Sequence, residues 1–131
     1  MNMRVFIGCL LVLLAGCQTL PYGDKPKDLA YKVSAFEDTV RWGELEKMVL
    51  FLKPADGEAV VVQEGLDNIR VTSYEAGSLT KVSDTRWVQT AVVKYVLTDR
   101  QIVRQLVDQQ VWESEDEGKT WYRTNPVPRY D

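Results

Sequence analysis

The 131-residue chain contains no histidine. That absence excludes Ser-His-Asp and Cys-His nucleophilic catalysis, in which an imidazole carries the proton. It also excludes histidine-ligated zinc and the side chain that most readily switches charge near neutral pH. Cysteine is scarce, with Cys9 and Cys17 the two present, both close to the start of the chain. Basic charge is not in excess, since 16 Lys and Arg stand against 19 Asp and Glu. No basic stripe or basic-aromatic alternation is visible, which argues against phosphate-driven nucleic-acid binding. A membrane-spanning run is missing too, because the apolar stretch at residues 5–14 falls well short of the about 20 residues that spanning needs. Internal repeats and low-complexity tracts are absent.

What the chain does have begins at its start. Arg4 precedes the apolar run, and small residues follow it in Leu14-Ala15-Gly16-Cys17. A charged beginning, an apolar middle and a small-residue cut site mark a secretory signal peptide. The small residues lead directly into a cysteine, and this arrangement resembles the lipobox of bacterial lipoproteins. The resemblance implies removal of residues 1–16, a diacylglycerol thioether on Cys17 and acylation of its new amine. One acyl chain binds a membrane marginally, whereas two or more anchor firmly, at about 0.8 kcal/mol per buried methylene. The membrane is thus the expected partner. In the enteric pattern an Asp after the cysteine favours retention in the inner membrane. Gln18 stands there instead, which implies the outer membrane and a periplasm-facing domain. With Cys9 removed and Cys17 lipidated, the domain is expected to fold without a disulfide, although its compartment would permit one.

Downstream, residues 17–25 read as a lipidated tether, with Pro21, Gly23 and Asp24 discouraging regular structure. Residues 26–131 fit a single domain with a modest core. A helix is predicted from Pro26, because proline suits the first helical position. Leu29, Val33, Phe36 and Val40 recur at spacings of four, three and four along one face. Asp28 with Lys32 and Glu37 with Arg41 offer acid-first i,i+4 pairs on the other, and Gly43 supplies a stop. A shorter helix with Leu45, Val49 and Leu52 inward is expected to end at Pro54. Val60-Val61-Val62 favours a strand within residues 55–66. From Asn68 the period changes to two. Ile69, Val71 and Ser73 are expected on one side, with Arg70, Thr72 and Tyr74 on the other. Trp87, Gln89, Ala91, Val93, Tyr95 and Leu97 share one side of a long strand. A turn at residues 98–101, a returning strand at 102–112, a second turn at 115–118 and a last strand at 119–123 follow. Asn125, Pro126 and Pro128 end the chain in a tail unable to pair as a central strand.

Helices followed by long antiparallel strands predict an α+β fold with the helices on one face of a curved sheet. In this respect the chain resembles small uncharacterised bacterial lipoproteins with the nuclear transport factor 2-like, or cystatin-like, cone. The resemblance rests on Val40-Arg41-Trp42-Gly43-Glu44-Leu45-Glu46, on Asn68-Ile69-Arg70-Val71-Thr72-Ser73-Tyr74-Glu75 and on the hairpin from Asp99 to Trp112. Thr120-Trp121-Tyr122 and Asn125-Pro126 complete it. It implies a short helix, not a strand, within residues 55–66.

Candidate chemistry is sparse. Ser114, Asp116, Gly118, Thr120 and Trp121 match the Asp-box S-x-D-x-G-x-[ST]-[WF], which resembles a motif repeated in sialidase propellers and structural there. One copy reads as a hairpin turn. Counted as a calcium loop from Glu113, the same stretch has Gly118 at its sixth position but Thr124 at its twelfth, where a bidentate Glu is needed. Some enzymes of the cone class place an acid and a tyrosine in an apolar pocket, and Asp99, Asp108, Tyr74 and Tyr95 are the available residues. Asp108 stands out on its apolar strand, and an outward position is expected because an inward acid is costly unless paired. Trp42, Trp87, Trp112 and Trp121 are expected to pack the core. No catalytic, cofactor or metal residue is assigned, and lipidation of Cys17 is the one site. The resulting expectation is a non-enzymatic envelope interaction module. The alternative is a protein with a pocket for a small apolar ligand. A filled interior would favour the first, and a deep concavity holding an inward Asp and Tyr the second.

Overall fold

A computed structural model describes residues 25–54 and 59–131. The signal peptide, Cys17 and all of the tether except Lys25 lie outside the described residues. The 4-3-4 apolar spacing produces α1, Lys27–Arg41, and its four periodic residues Leu29, Val33, Phe36 and Val40 are all buried. Pro26 precedes the first helical residue and its carbonyl accepts from the Ala30 N–H at 2.9 Å. The helix stops where Gly43 takes φ +74°. There the Gly43 N–H donates to the Val40 carbonyl and the Glu44 N–H to the Thr39 carbonyl, both at 3.0 Å. This is a Schellman closure, and a glycine accepts its left-handed turn without a Cβ clash.

The expected second helix is a 3₁₀ stretch, Leu45–Phe51. Its period of three changes the inward set. Leu45 and Met48 are buried and Phe51 packs on the core, in place of the expected Leu45, Val49 and Leu52. Residues 59–65 form neither a strand nor a helix, and a single 3₁₀ turn, Leu66–Asn68, follows them. The side-chain amide of Gln63 pins this loop to the C-terminal tail. It donates to the Tyr130 carbonyl at 2.6 Å and accepts from the Tyr130 N–H at 3.0 Å.

Five antiparallel strands build one open sheet: β1 Ile69–Ala76, β2 Thr80–Ser83, β3 Arg86–Leu97, β4 Ile102–Glu113 and β5 Tyr122–Arg123. Their order is β1-β3-β4-β5, with β2 also paired to β3. The fold is thus α+β, with α1 covering one sheet face. The β3–β4 ladder runs unbroken from Arg86↔Glu113 to Leu97↔Ile102. All six expected inward residues of β3 are buried. In β1 the simple alternation fails. A bulge between Val71 and Ser73 inserts one residue and reverses the parity beyond it, so Tyr74 points into the core instead of away from it. The short β2 is exposed at every position and carries no periodic signal.

Phe36 sits at the contact between the layers. Its ring meets Phe51 at 5.2 Å and Trp112 at 5.7 Å, both edge to face. The tail docks as well, with Tyr130 against Tyr95 at 5.0 Å. Because Phe36 is fully buried, Phe36→Ala should cost about 3–5 kcal/mol through lost transfer energy and the cavity left behind. Denaturant unfolding measures this, and a loss below about 1 kcal/mol would show that the helix–sheet contact is not where the fold is held.

Candidate functional site

Two polar residues interrupt the apolar inner face of β4. Asp108 lies opposite Ala91 and Gln110 opposite Gln89, with Trp112 next on the same side. The expected outward position of Asp108 is wrong: its carboxylate is buried. The partner that makes this tolerable is Arg123. Nη2 donates to Oδ1 at 2.6 Å and Nη1 to Oδ2 at 2.8 Å, and the two side chains are 1% and 4% exposed for Arg123 and Asp108. A guanidinium and a carboxylate meet here fork to fork, the geometry in which such a pair is strongest.

Two further donors of the guanidinium are also engaged. Arg123 Nε donates to the Asn125 carbonyl at 3.2 Å and Nη2 to the Pro126 carbonyl at 2.8 Å. Its guanidinium lies 5.2 Å from the Phe36 ring centre, a cation–π contact. Gln110 Nε2 donates to the Tyr74 hydroxyl at 2.7 Å and to Asp108 Oδ2 at 3.1 Å. Gln110 Oε1 accepts from the Trp112 indole N–H at 3.1 Å. Burial pushes the Tyr74 hydroxyl up to about 12.

Arg123 reaches this centre because of the turn before it. The Gly118 N–H donates to Ser114 Oγ at 2.9 Å and the Thr120 N–H to Asp116 Oδ1 at 2.7 Å. The Ser114 hydroxyl donates to the same Asp116 oxygen at 2.9 Å. The Trp121 indole N–H closes on the Gly118 carbonyl at 3.0 Å. Hydrogen bonds from Thr120, then Ser114, hold the Asp116 carboxyl down to about 2. The Asp-box is therefore a hairpin clamp, as the motif predicts. Its neighbouring acids are engaged elsewhere, Glu113 with Arg86 at 2.5 Å and Glu115 with Lys53. Among the described residues no cluster of three or more acids and cysteines is placed to hold a metal. Beyond the two-residue β5, the Asn125 side chain continues the ladder by accepting from the Val111 N–H at 3.0 Å and donating to the Gln109 carbonyl.

Of the four acid and tyrosine candidates, Asp108 and Tyr74 come together, linked by Gln110. Tyr95 is buried apart from them, its hydroxyl donating to the Asp131 carbonyl at 2.9 Å. Asp99 is exposed on the β3–β4 turn, where it accepts from Asn68 Nδ2 at 2.9 Å. Trp87, Trp112 and Trp121 are core residues as expected, but Trp42 is on the surface. Gln110 and Arg123 belong to the network without having been singled out. Gln110 shares the parity of Asp108 and Trp112, and that was a readable signal; the placement of Arg123 follows from the hairpin and has none.

The arrangement suits cohesion better than proton transfer, because both Asp108 oxygens face the same guanidinium. A groove lies elsewhere among the described residues. It holds about 320 Å³ between the 3₁₀ stretch, the 59–65 loop and the tail, and its walls include Val49, Leu52, Val61 and Val127. None of Asp108, Gln110, Tyr74 or Arg123 lines it. No protein-family model matches the chain, and no curated sequence matches it.

The raised Tyr74 hydroxyl gives a signed pH dependence. Its neutral form is favoured in the folded state, so its contribution is complete below the ordinary value of 10 and fades as pH rises through about 12. The stability difference between the protein and Tyr74→Phe should stay constant up to about pH 10 and shrink above it. Denaturant unfolding at stepped pH, with tyrosinate absorbance followed alongside, measures this. A difference that grew with alkali would contradict the assignment.

Proposed function

We propose that this chain is a lipid-anchored lipoprotein of the outer membrane, carrying a periplasm-facing cone domain that works as a non-enzymatic interaction module. Leu14-Ala15-Gly16-Cys17 supports the anchor, and Gln18 supports the outer membrane. The cone reading draws support from helix α1 laid across one face of an antiparallel sheet with a long central hairpin. The observation that carries the non-enzymatic reading is that neighbouring side chains engage both oxygens of the inward carboxylate. The inward acid and tyrosine are bonded to Arg123 and Gln110 and do not border the groove. The absence of histidine agrees with it. Contact with a partner is then a property of the surface.

The groove beside Val61 and Val127 favours a second reading, in which a small apolar ligand is carried without being transformed. Both readings need the anchor. Metabolic labelling with a fatty-acid analogue should mark the wild-type chain and leave Cys17→Ser unmarked, with the variant released from membranes on fractionation. Equal label in both would overturn the lipoprotein reading.

A further inference from the structure

The outer side of α1 displays two large aromatic side chains. Tyr31 is 78% exposed and Trp42, at the end of the helix, is 82% exposed. Eleven residues separate them, three helical turns, which puts them within about 20° of each other and about 16 Å apart along the axis. The buried face of the helix, Leu29 to Val40, points the other way. Among the described residues the other exposed large apolar side chains are aliphatic, as with Val103 and Val107 on the uncovered sheet face. An aligned Tyr and Trp are different in kind, since their amphipathic rings concentrate at the headgroup level of bilayers.

We infer that this face of α1 rests on the lipid headgroups of the membrane that anchors the chain. The inference depends on lipidation of Cys17. Ten residue steps join Cys17 to Lys27, the first residue of α1. At about 3.3–3.6 Å per step they reach about 35 Å at most, so the start of α1 stays within that distance of the anchor. Lys25, Lys27 and Asp28 lie exposed at this end, so the contact rests on the two rings and not on net charge. Asp38 is exposed on the same side, between Tyr31 and Trp42. The rings therefore lie among the headgroups, not in the hydrocarbon.

Trp42 is also the reporter. The other three tryptophans are 5%, 0% and 1% exposed for Trp87, Trp112 and Trp121, so the acrylamide-quenchable fluorescence is that of Trp42, isolated by subtracting Trp42→Phe. The full lipidated chain is reconstituted into vesicles of phosphatidylethanolamine and phosphatidylglycerol and compared with unlipidated Cys17→Ser in buffer. The expected result is a several-fold fall in acrylamide quenching of Trp42 in vesicles, with quenching instead by headgroup spin labels. A chain that carries the fatty-acid label and floats with vesicles, yet keeps Trp42 fully open to acrylamide, overturns this inference and leaves the anchor intact. A chain that carries no label overturns both. Protection in native envelopes but not in pure lipid assigns the face to a protein partner and overturns the lipid contact.

Discussion

The contact between Arg123 and Asp108 constrains the rest of the molecule. Neither charge is tolerable alone when buried to this degree, and the two are paired at 2.6–2.8 Å across neighbouring strands. For Arg123 to arrive there, β5 must pair with β4 in one register, Trp112↔Arg123. That register depends on the Ser114–Trp121 clamp. The Asn125 and Pro126 carbonyls that complete the guanidinium fix where the tail leaves the sheet, and the tail in turn holds the 59–65 loop through Gln63. Phe36 lies over the same guanidinium, so α1 is registered on this point as well. A buried pair of this kind contributes specificity of arrangement more surely than net stability, and here at least three connections are arranged around it.

The same contact bears on function. An inward acid beside a buried tyrosine is the feature that would mark a reactive pocket. In this chain the acid is saturated by a guanidinium, and the tyrosine hydroxyl receives a glutamine amide. The functional weight in the proposed reading then shifts outward, to the surface that α1 presents. Tyr31 and Trp42 are not needed by the core, whose helix face is complete with Leu29, Val33, Phe36 and Val40.

Where the pattern was long and regular, the sequence was legible. The 4-3-4 spacing of α1 and the strict alternation of β3 placed ten core residues correctly, because periodic burial over three turns or six pairs leaves little room for another face. The Asp-box turn was legible for a different reason: its residues bond one another. What escaped was set by single insertions and by distant partners. One bulge in β1 reversed Tyr74. A period of three in place of 3.6 exchanged Val49 for Met48. Propensity in Val60-Val61-Val62 lost to the Gln63–Tyr130 pairing, which no local window contains. The inward position of Asp108 depends on Arg123, fifteen residues on, which no local pattern links to it.

The buried pair holds the strands, the tail and α1 in one arrangement. A double-mutant cycle measures this coupling, using Asp108→Ala, Arg123→Ala and the double variant in denaturant unfolding. Each single change should cost about 3–5 kcal/mol, since it strands a buried charge. The double variant should lose far less than the sum. Additive losses, within about 0.5 kcal/mol, would mean the two side chains are not coupled and would contradict the account.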